Sequence, residues 1–442
     1  MNKVLAGIPL LAENITVLSS AKEYANTLIR LIENAESRIY ITALYLQNDD
    51  AGQQVLNALH QAKQINPKLD IKVFVDFHRA QRGLIGDTSG QGNRDFYLEL
   101  ASQYSESIAI YGVPVKRKEL MGVWHFKGMV FDNTLLYTGA SINDIYLHQG
   151  EKYRLDRYYQ IQSPALCESF CHLLQQTFVK SELAPQLNVD VLPNKLQIKN
   201  IISKLKVALK TVRFNYYAQQ PQYSAEELSV IPLIGFGRRK NQLNQKIRET
   251  IRLANQRLVL FTPYFNLPKP VMRDIRSALK RGVEVTIIIG DKKANDFFIA
   301  DQEKFSMIGI IPYIYETLLK TFLKRQQKYI DNNKLKIRLW KHESNSFHLK
   351  GIVADDRWHI LTGNNLNPRA WGLDLENGLL IDDVHQKLLP TFTQELTVIN
   401  QHTQLITSYL ELESQDQYPD KPKKLLKKLR MAQIDRLLKL FL

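Results

Sequence analysis

One short motif occurs twice, half a chain apart: His125-Phe-Lys127-Gly-Met-Val-Phe-Asp132 and His348-Leu-Lys350-Gly-Ile-Val-Ala-Asp355. Each copy is followed by a small polar segment ending in Asn, Gly139-Ala-Ser141-Ile-Asn143 and Gly363-Asn-Asn365-Leu-Asn367. With 10 His, 59 basic and 44 acidic residues in 442, random order gives roughly 0.13 matches to His-x-basic-x4-acidic. Two copies with the same trailing residues therefore mark a duplication. They restrict the chain to two similar halves whose equivalent His, Lys and Asn meet at one site.

The local pattern is that of a strand. In Trp124-His125-Phe126-Lys127 the side chains alternate, so His125 and Lys127 share one face and the two aromatics the other. Phe347, His348, Leu349 and Lys350 repeat this. The apolar runs that follow, Met129 to Phe131 and Ile352 to Ala354, suit a strand buried on both faces. A polar pair in such a strand is costly without partners, and function is one reason to tolerate it.

Around the motifs, each half reads helix, strand, helix, strand. The first has Ala21 to Ala35, Arg38 to Leu46, Gln53 to Gln64 and Ile71 to Asp76. The second has Leu243 to Ala254, Arg257 to Tyr264, Val271 to Arg281 and Val283 to Gly290. Alternation of this kind predicts an α/β fold with helices flanking a mixed sheet. The lobes are expected at 1–190 and 236–405, with a connecting segment at 191–235 and an extension at 406–442. A long helix, Tyr313 to Tyr329, precedes the second motif.

The net charge of +15 favours an anionic partner: nucleic acid, an acidic membrane surface or a phosphorylated substrate. The two cysteines, Cys167 and Cys171, are four apart in a predicted helix, which suits core packing better than a disulfide. No window is apolar enough for a transmembrane helix, and a cytoplasmic location is expected. From Lys421 to Leu442, eight basic residues stand against one acid, Asp435, with leucines interleaved. This predicts a basic amphipathic helix with Lys423, Lys424, Lys427, Lys428 and Arg430 facing an anionic membrane. A helix docked on the body, or one bound to nucleic acid, would give the same pattern.

Two His, two Lys and two Asn converging on one point suit a phosphate. The lysines neutralise its oxygens and the asparagines donate to them. One histidine, neutral, attacks phosphorus, while the other, protonated, serves the leaving oxygen and then acts as base. Lysines can supply the charge clamp, so no metal and no other cofactor is expected.

The duplicated H-x-K-x4-D with trailing Gly and Asn resembles the phospholipase D superfamily. The resemblance implies two similar lobes meeting at one active site, a phosphohistidine intermediate, and His125, His348, Lys127 and Lys350 as the catalytic set. Asp132 and Asp355 complete the motif, with a mainly structural part. Asn143 and Asn367 would support the phosphate. Where the superfamily usually has Ser after the trailing Gly, this chain has Ala140 and Asn364, and Ser141 or Asn365 would substitute. Asp156 and Glu376 fall where the superfamily places a carboxylate that orients a histidine. Further segments, among them Val75-Asp-Phe-His-Arg-Ala-Gln-Arg-Gly83, Gly290-Asp-Lys-Lys-Ala-Asn-Asp-Phe297 and Gly363 to Trp371, look like bacterial phosphatidylserine synthases of this type. That family implies CDP-diacylglycerol and L-serine as substrates and CMP as product; the basic tail would then attach the enzyme peripherally to the inner face of the cell membrane, where its lipid substrate lies. His125 is taken as the nucleophile and His348 as the acid and base. Asp76, Arg79, Arg82, Asp291, Lys292 and Asp296, beyond the second strand of each half, are candidates for recognising cytidine, diphosphate or serine. The rival readings are a phospholipase D, a cardiolipin synthase-like phosphatidyltransferase, a nuclease of the same superfamily, and a non-catalytic membrane scaffold.

Overall fold

The structure, a computed structural model, describes residues 5–83, 92–217, 227–300, 303 and 305–431. Two mixed sheets form its frame. In the first, the strands run in the order Ile15–Leu18, Tyr158–Gln162, Thr134–Thr138, Gly128–Phe131, Arg38–Thr42, Asp70–Asp76, Ala109–Val113. In the second, a matching core runs Leu375–Asp382, Trp358–Thr362, Gly351–Ala354, Arg257–Thr262, Glu284–Gly290, Leu335–Trp340. In both, the last three strands are parallel and the motif strand joins them antiparallel. The internal repeat is thus a repeat of topology.

Local chemistry starts and directs the helices. Ala21–Glu33 is capped by Ser20, whose side chain accepts from Glu23 N, and it buries Ala21, Tyr24, Ala25, Leu28 and Ile32 at helical spacing. Its counterpart Gln242–Leu253 is capped by Asn241 and buries Leu243, Ile247 and Ile251. Cys167 and Cys171 are free thiols in the core.

Two expectations change. The segment read as a connection, 191–235, ends in the strand Glu227–Phe236, which pairs along its length with Leu375–Asp382. Ile8–Leu11, assigned to the first lobe, forms the outer edge of the same sheet. Pro232 masks the strand in the sequence. It is tolerated because the edge strand pairs only as far as Val230, so the missing N–H is not needed.

The C-terminal helix, Asp420–Met431, is the second change. Leu426 and Leu429 are buried against Ile310, Tyr313, Ile314 and Tyr418, so this apolar stripe is covered by protein and not free to enter lipid. Lys424, Lys427 and Lys428 remain exposed. Lys423 donates to Asp416 O and Arg430 to Gln415 Oε1. Residues 432–442 of the predicted amphipathic segment lie outside the described residues. Among the described residues, no helix is long and apolar enough to cross a membrane.

Candidate active site

The two motif segments approach the sheets in the same way. Trp124 and Phe126 are fully buried, as are Phe347 and Leu349, which turns His125, Lys127, His348 and Lys350 to the opposite face. The expected continuous strand is broken just after each lysine. Gly128 (φ 114°) and Gly351 (φ 136°) adopt positive φ, and the sheet strand starts there. A Cβ at Gly351 would lie 2.6 Å from Arg157 Nη1 and 2.8 Å from Ile360 O, so glycine is required by space as well as by φ. The glycine that follows the lysine in both copies was the sequence signal for this break.

Each half completes the other. His125 N donates to Leu375 O and Leu375 N to Val123 O, which seats Glu376 beside the first histidine. Ser346 and Phe347 pair with Arg154 and Leu155, and His348 N donates to Leu155 O, which seats Asp156 beside the second. His125 Nδ1 is 2.9 Å from Glu376 Oε2, and His348 Nδ1 is 3.1 Å from Asp156 Oδ2. Tyr146 OH also reaches His348 Nδ1, at 2.9 Å. With Nδ1 engaged in both rings, Nε2 is the nitrogen left for chemistry.

The lysines and glycines cross over as well. Lys350 Nζ donates to Asp156 Oδ2 at 2.8 Å and also contacts His348 Nδ1. Lys127 Nζ donates to Ala140 O and Ser141 Oγ, both at 3.2 Å. A Cβ at Gly139 would meet Lys350 Nζ at 2.9 Å and the Asp156 carboxylate at 2.8 Å; at Gly363 it would meet Lys127 Cγ at 2.6 Å. The small residue of each half therefore makes room for the lysine of the other.

Asn143 and Asn367 are helix N-caps, with Oδ1 accepting from Tyr146 N and Ala370 N. Each keeps its Nδ2 donors for another partner. Ser141 stands against Lys127, whereas Asn365 Oδ1 is buried with no hydrogen-bond partner among the described residues, so the two positions are not equivalent. Asp132 and Asp355, which complete the motif and were expected to play a mainly structural part, lie outside the site. Their carboxylates accept the backbone N–H groups of residues 36–38 and 255–257, at the opposite end of the motif strands. Asp76 caps the turn after its strand and accepts from Trp124 N, while Arg82 and Lys292 are held in ion pairs.

Sequence reasoning missed Asn377. Its side chain accepts from Lys127 N and donates to Lys127 O, both at 2.7 Å, clamping the motif backbone from the other half. It also missed Tyr146. Position directly after an orienting carboxylate was the signal for Asn377; nothing local marks Tyr146.

The site is buried and positive. Lys127 and Lys350 are 1% exposed, and His125 and His348 are 7% and 6% exposed. Burial, then Lys127 and Lys350, push His125 well below the usual histidine range. Burial and Lys350 push His348 down to about 4, against the pull of Asp156. Lys127 falls to about 7, through burial and then Lys350. The two carboxylates differ. Burial opposes ionisation of Asp156, but Lys350 and His348 bring it to about 2. Burial and neighbouring Asp374 hold Glu376 well above the carboxylate range. His348 thus faces a firmly ionised carboxylate and His125 a weakly acidic one. Such a pocket binds an anion and, once filled, can protonate the second histidine more readily than the first.

The family description "Cardiolipin synthase, PLD-like domain" matches residues 247–401. Over 98% of its length the chain is 41% identical to the CDP-diacylglycerol--serine O-phosphatidyltransferase PssA of Escherichia coli, covering 96% of that protein. It is 43% identical to the CDP-diacylglycerol--serine O-phosphatidyltransferase of Haemophilus influenzae, again over 98% of this chain and 96% of that one. The crystal structure of a phosphatidylserine synthase from Haemophilus influenzae superposes with a TM-score of 0.94 at 42% identity, covering 99% of this chain and 97% of the other.

Proposed function

The chain belongs to the CDP-diacylglycerol–serine O-phosphatidyltransferases of the phospholipase D superfamily, and we propose that it transfers the phosphatidyl group through a phosphohistidine on His125. It is a transferase of phospholipid biosynthesis, making phosphatidylserine from CDP-diacylglycerol and L-serine. The observation that carries the mechanism is the crossed pair of orienting carboxylates and their unequal acidity.

With Nδ1–H donated to Glu376, the Nε2 lone pair of neutral His125 attacks the phosphorus that bears diacylglycerol. The bond to the CMP oxygen breaks, and that oxygen takes the proton of His348. The imidazolium of His348 is favoured over that of His125 because Asp156 is ionised beside it. The negative diphosphate offsets the lysine charges that keep both rings neutral in the empty pocket. Lys127, Lys350 and the Nδ2 groups of Asn143 and Asn367 hold the non-bridging oxygens as charge moves onto them. CMP leaves. His348 then takes the proton of the serine hydroxyl, whose oxygen attacks phosphorus, and the His125–phosphorus bond breaks. Both histidines return to their starting states.

The substrate lies in a bilayer. The exposed lysines of Asp420–Met431 would hold the enzyme by its basic face to the inner, anionic surface of the cell membrane, while the apolar face stays docked. To test the function, the protein is given CDP-diacylglycerol labelled in its phosphatidyl group, with and without L-serine. Serine-dependent phosphatidylserine with matching CMP supports it. Duplex DNA cleavage with no lipid turnover rejects it.

A further inference from the structure

The catalytic groups obey the repeat, and the residues around them break it. Two positions before each orienting carboxylate stand Arg154 in one half and Asp374 in the other. Asp374 is engaged: Oδ1 accepts from Val123 N at 2.9 Å, and Oδ2 takes Arg369 Nε at 3.3 Å. Arg154 is engaged at one atom only. Its Nε lies 3.2 Å from Ser346 Oγ and 3.3 Å from Asp296 Oδ1. Its guanidinium lies 4.8 Å over the Tyr146 ring, and the bond from Nε is the one hydrogen bond of this side chain among the described residues, which leaves both Nη atoms without one. Asp296 takes Tyr264 OH on Oδ2 at 2.8 Å, while Oδ1 is buried and accepts no hydrogen bond from the described residues.

This pair stands beside the second histidine. Tyr146, under the Arg154 guanidinium, bonds His348 Nδ1, and the Tyr264 ring lies 6.2 Å from the His348 ring. A guanidinium held at Nε with two unbonded Nη groups, ion-paired at 3.3 Å with a carboxylate oxygen that accepts no hydrogen bond among the described residues, complements a zwitterion. In L-serine, carboxylate and ammonium sit on the carbon next to the one bearing the reacting hydroxyl. A hydroxyl held at His348 puts them about 3–5 Å away, beside an imidazole that Tyr146 and Tyr264 link to Arg154 and Asp296. The side of the site is also right. Both displacements occur opposite His125, so serine enters where His348 stands. The engaged Asp374–Arg369 pair of the other half offers no such vacancy.

We propose that Arg154 and Asp296 form the acceptor clamp, Arg154 taking the α-carboxylate of L-serine and Asp296 its α-ammonium. This rests on the proposed reading in which His348 deprotonates the entering hydroxyl.

Phosphatidyl transfer is measured to L-serine, to ethanolamine, which lacks the carboxylate, and to 3-hydroxypropionate, which lacks the ammonium. The enzymes compared are wild type, Arg154→Gln and Asp296→Asn. Each variant is expected to raise KM for L-serine about tenfold or more, as for a lost charge-assisted hydrogen bond, with a smaller fall in kcat. Asp296→Asn should erase the preference for L-serine over 3-hydroxypropionate and keep that over ethanolamine; Arg154→Gln should do the reverse. Equal loss with all three acceptors, or an unchanged KM for L-serine, overturns the clamp. A wild-type enzyme that makes no phosphatidylserine fails the underlying reading instead, whereas normal synthesis with unaltered selectivity in the variants fails the clamp alone.

Discussion

Filling the site with an anionic phosphodiester should draw protons from solution, and Lys127 sets the amount. In the absence of substrate its ammonium is pushed down to about 7 from the ordinary lysine value of 10.5, so holding the charge there costs roughly 5 kcal/mol. A bound phosphate group returns most of that. Lys127 is then half neutral at pH 7 before binding and charged after it. Its uptake is about 0.1 proton at pH 6, about 0.5 at pH 7 and about 0.9 at pH 8. Calorimetric titration with a non-transferable CDP-diacylglycerol analogue, repeated in buffers of different ionisation enthalpy, counts the protons. The difference between wild type and Lys127→Gln isolates the lysine. No difference at pH 8, or a larger one at pH 6 than at pH 8, would refute the electrostatic reasoning.

The unequal carboxylates give a second prediction: Asp156→Asn should lower kcat by at least about tenfold more than Glu376→Gln, because only Asp156 is a firm counter-ion for an imidazolium. Equal losses in steady-state assays would contradict it. Asp355→Ala should cost roughly 1–3 kcal/mol of stability and so lower the melting temperature, since three backbone N–H groups lose their acceptor. The kcat of the folded fraction should be preserved, and a collapse of kcat at full stability would return Asp355 to the chemistry. Changing Lys424, Lys427 and Lys428 to Glu should weaken binding to anionic vesicles in a salt-sensitive way and leave thermal unfolding unchanged, because all three are exposed. Unaltered vesicle partition would remove the helix from membrane contact.

The duplicated motif made the two-lobed architecture legible, because alternation of Trp124, His125, Phe126 and Lys127 separates the core face from the site face. It could not show that the lobes exchange their supports. Asp156 belongs to the half of His125 and yet orients His348; such pairings arise only when the sheets meet. Of the residues that lock this exchange, Asn377 is marked only by its place directly after Glu376, and Tyr146 carries no local pattern. Glu227–Phe236 was hidden by a proline that only an edge pairing of limited length permits. The C-terminal helix shows a different limit. Its leucine spacing states that one face will be covered, but the covering residues, Ile310, Tyr313 and Tyr418, lie elsewhere in the chain. Lipid and protein partners leave the same imprint on an amphipathic sequence.

The central claim is a covalent phosphatidyl-histidine on the first motif. The direct measurement is a denaturant quench at mildly alkaline pH of the enzyme with CDP-diacylglycerol labelled at the phosphorus bound to diacylglycerol, without serine, followed by peptide mapping. The account predicts acid-labile label on the peptide holding His125, absent from His125→Ala and chased into phosphatidylserine by L-serine. Label on the His348 peptide, or none while phosphatidylserine forms at full rate, would contradict it.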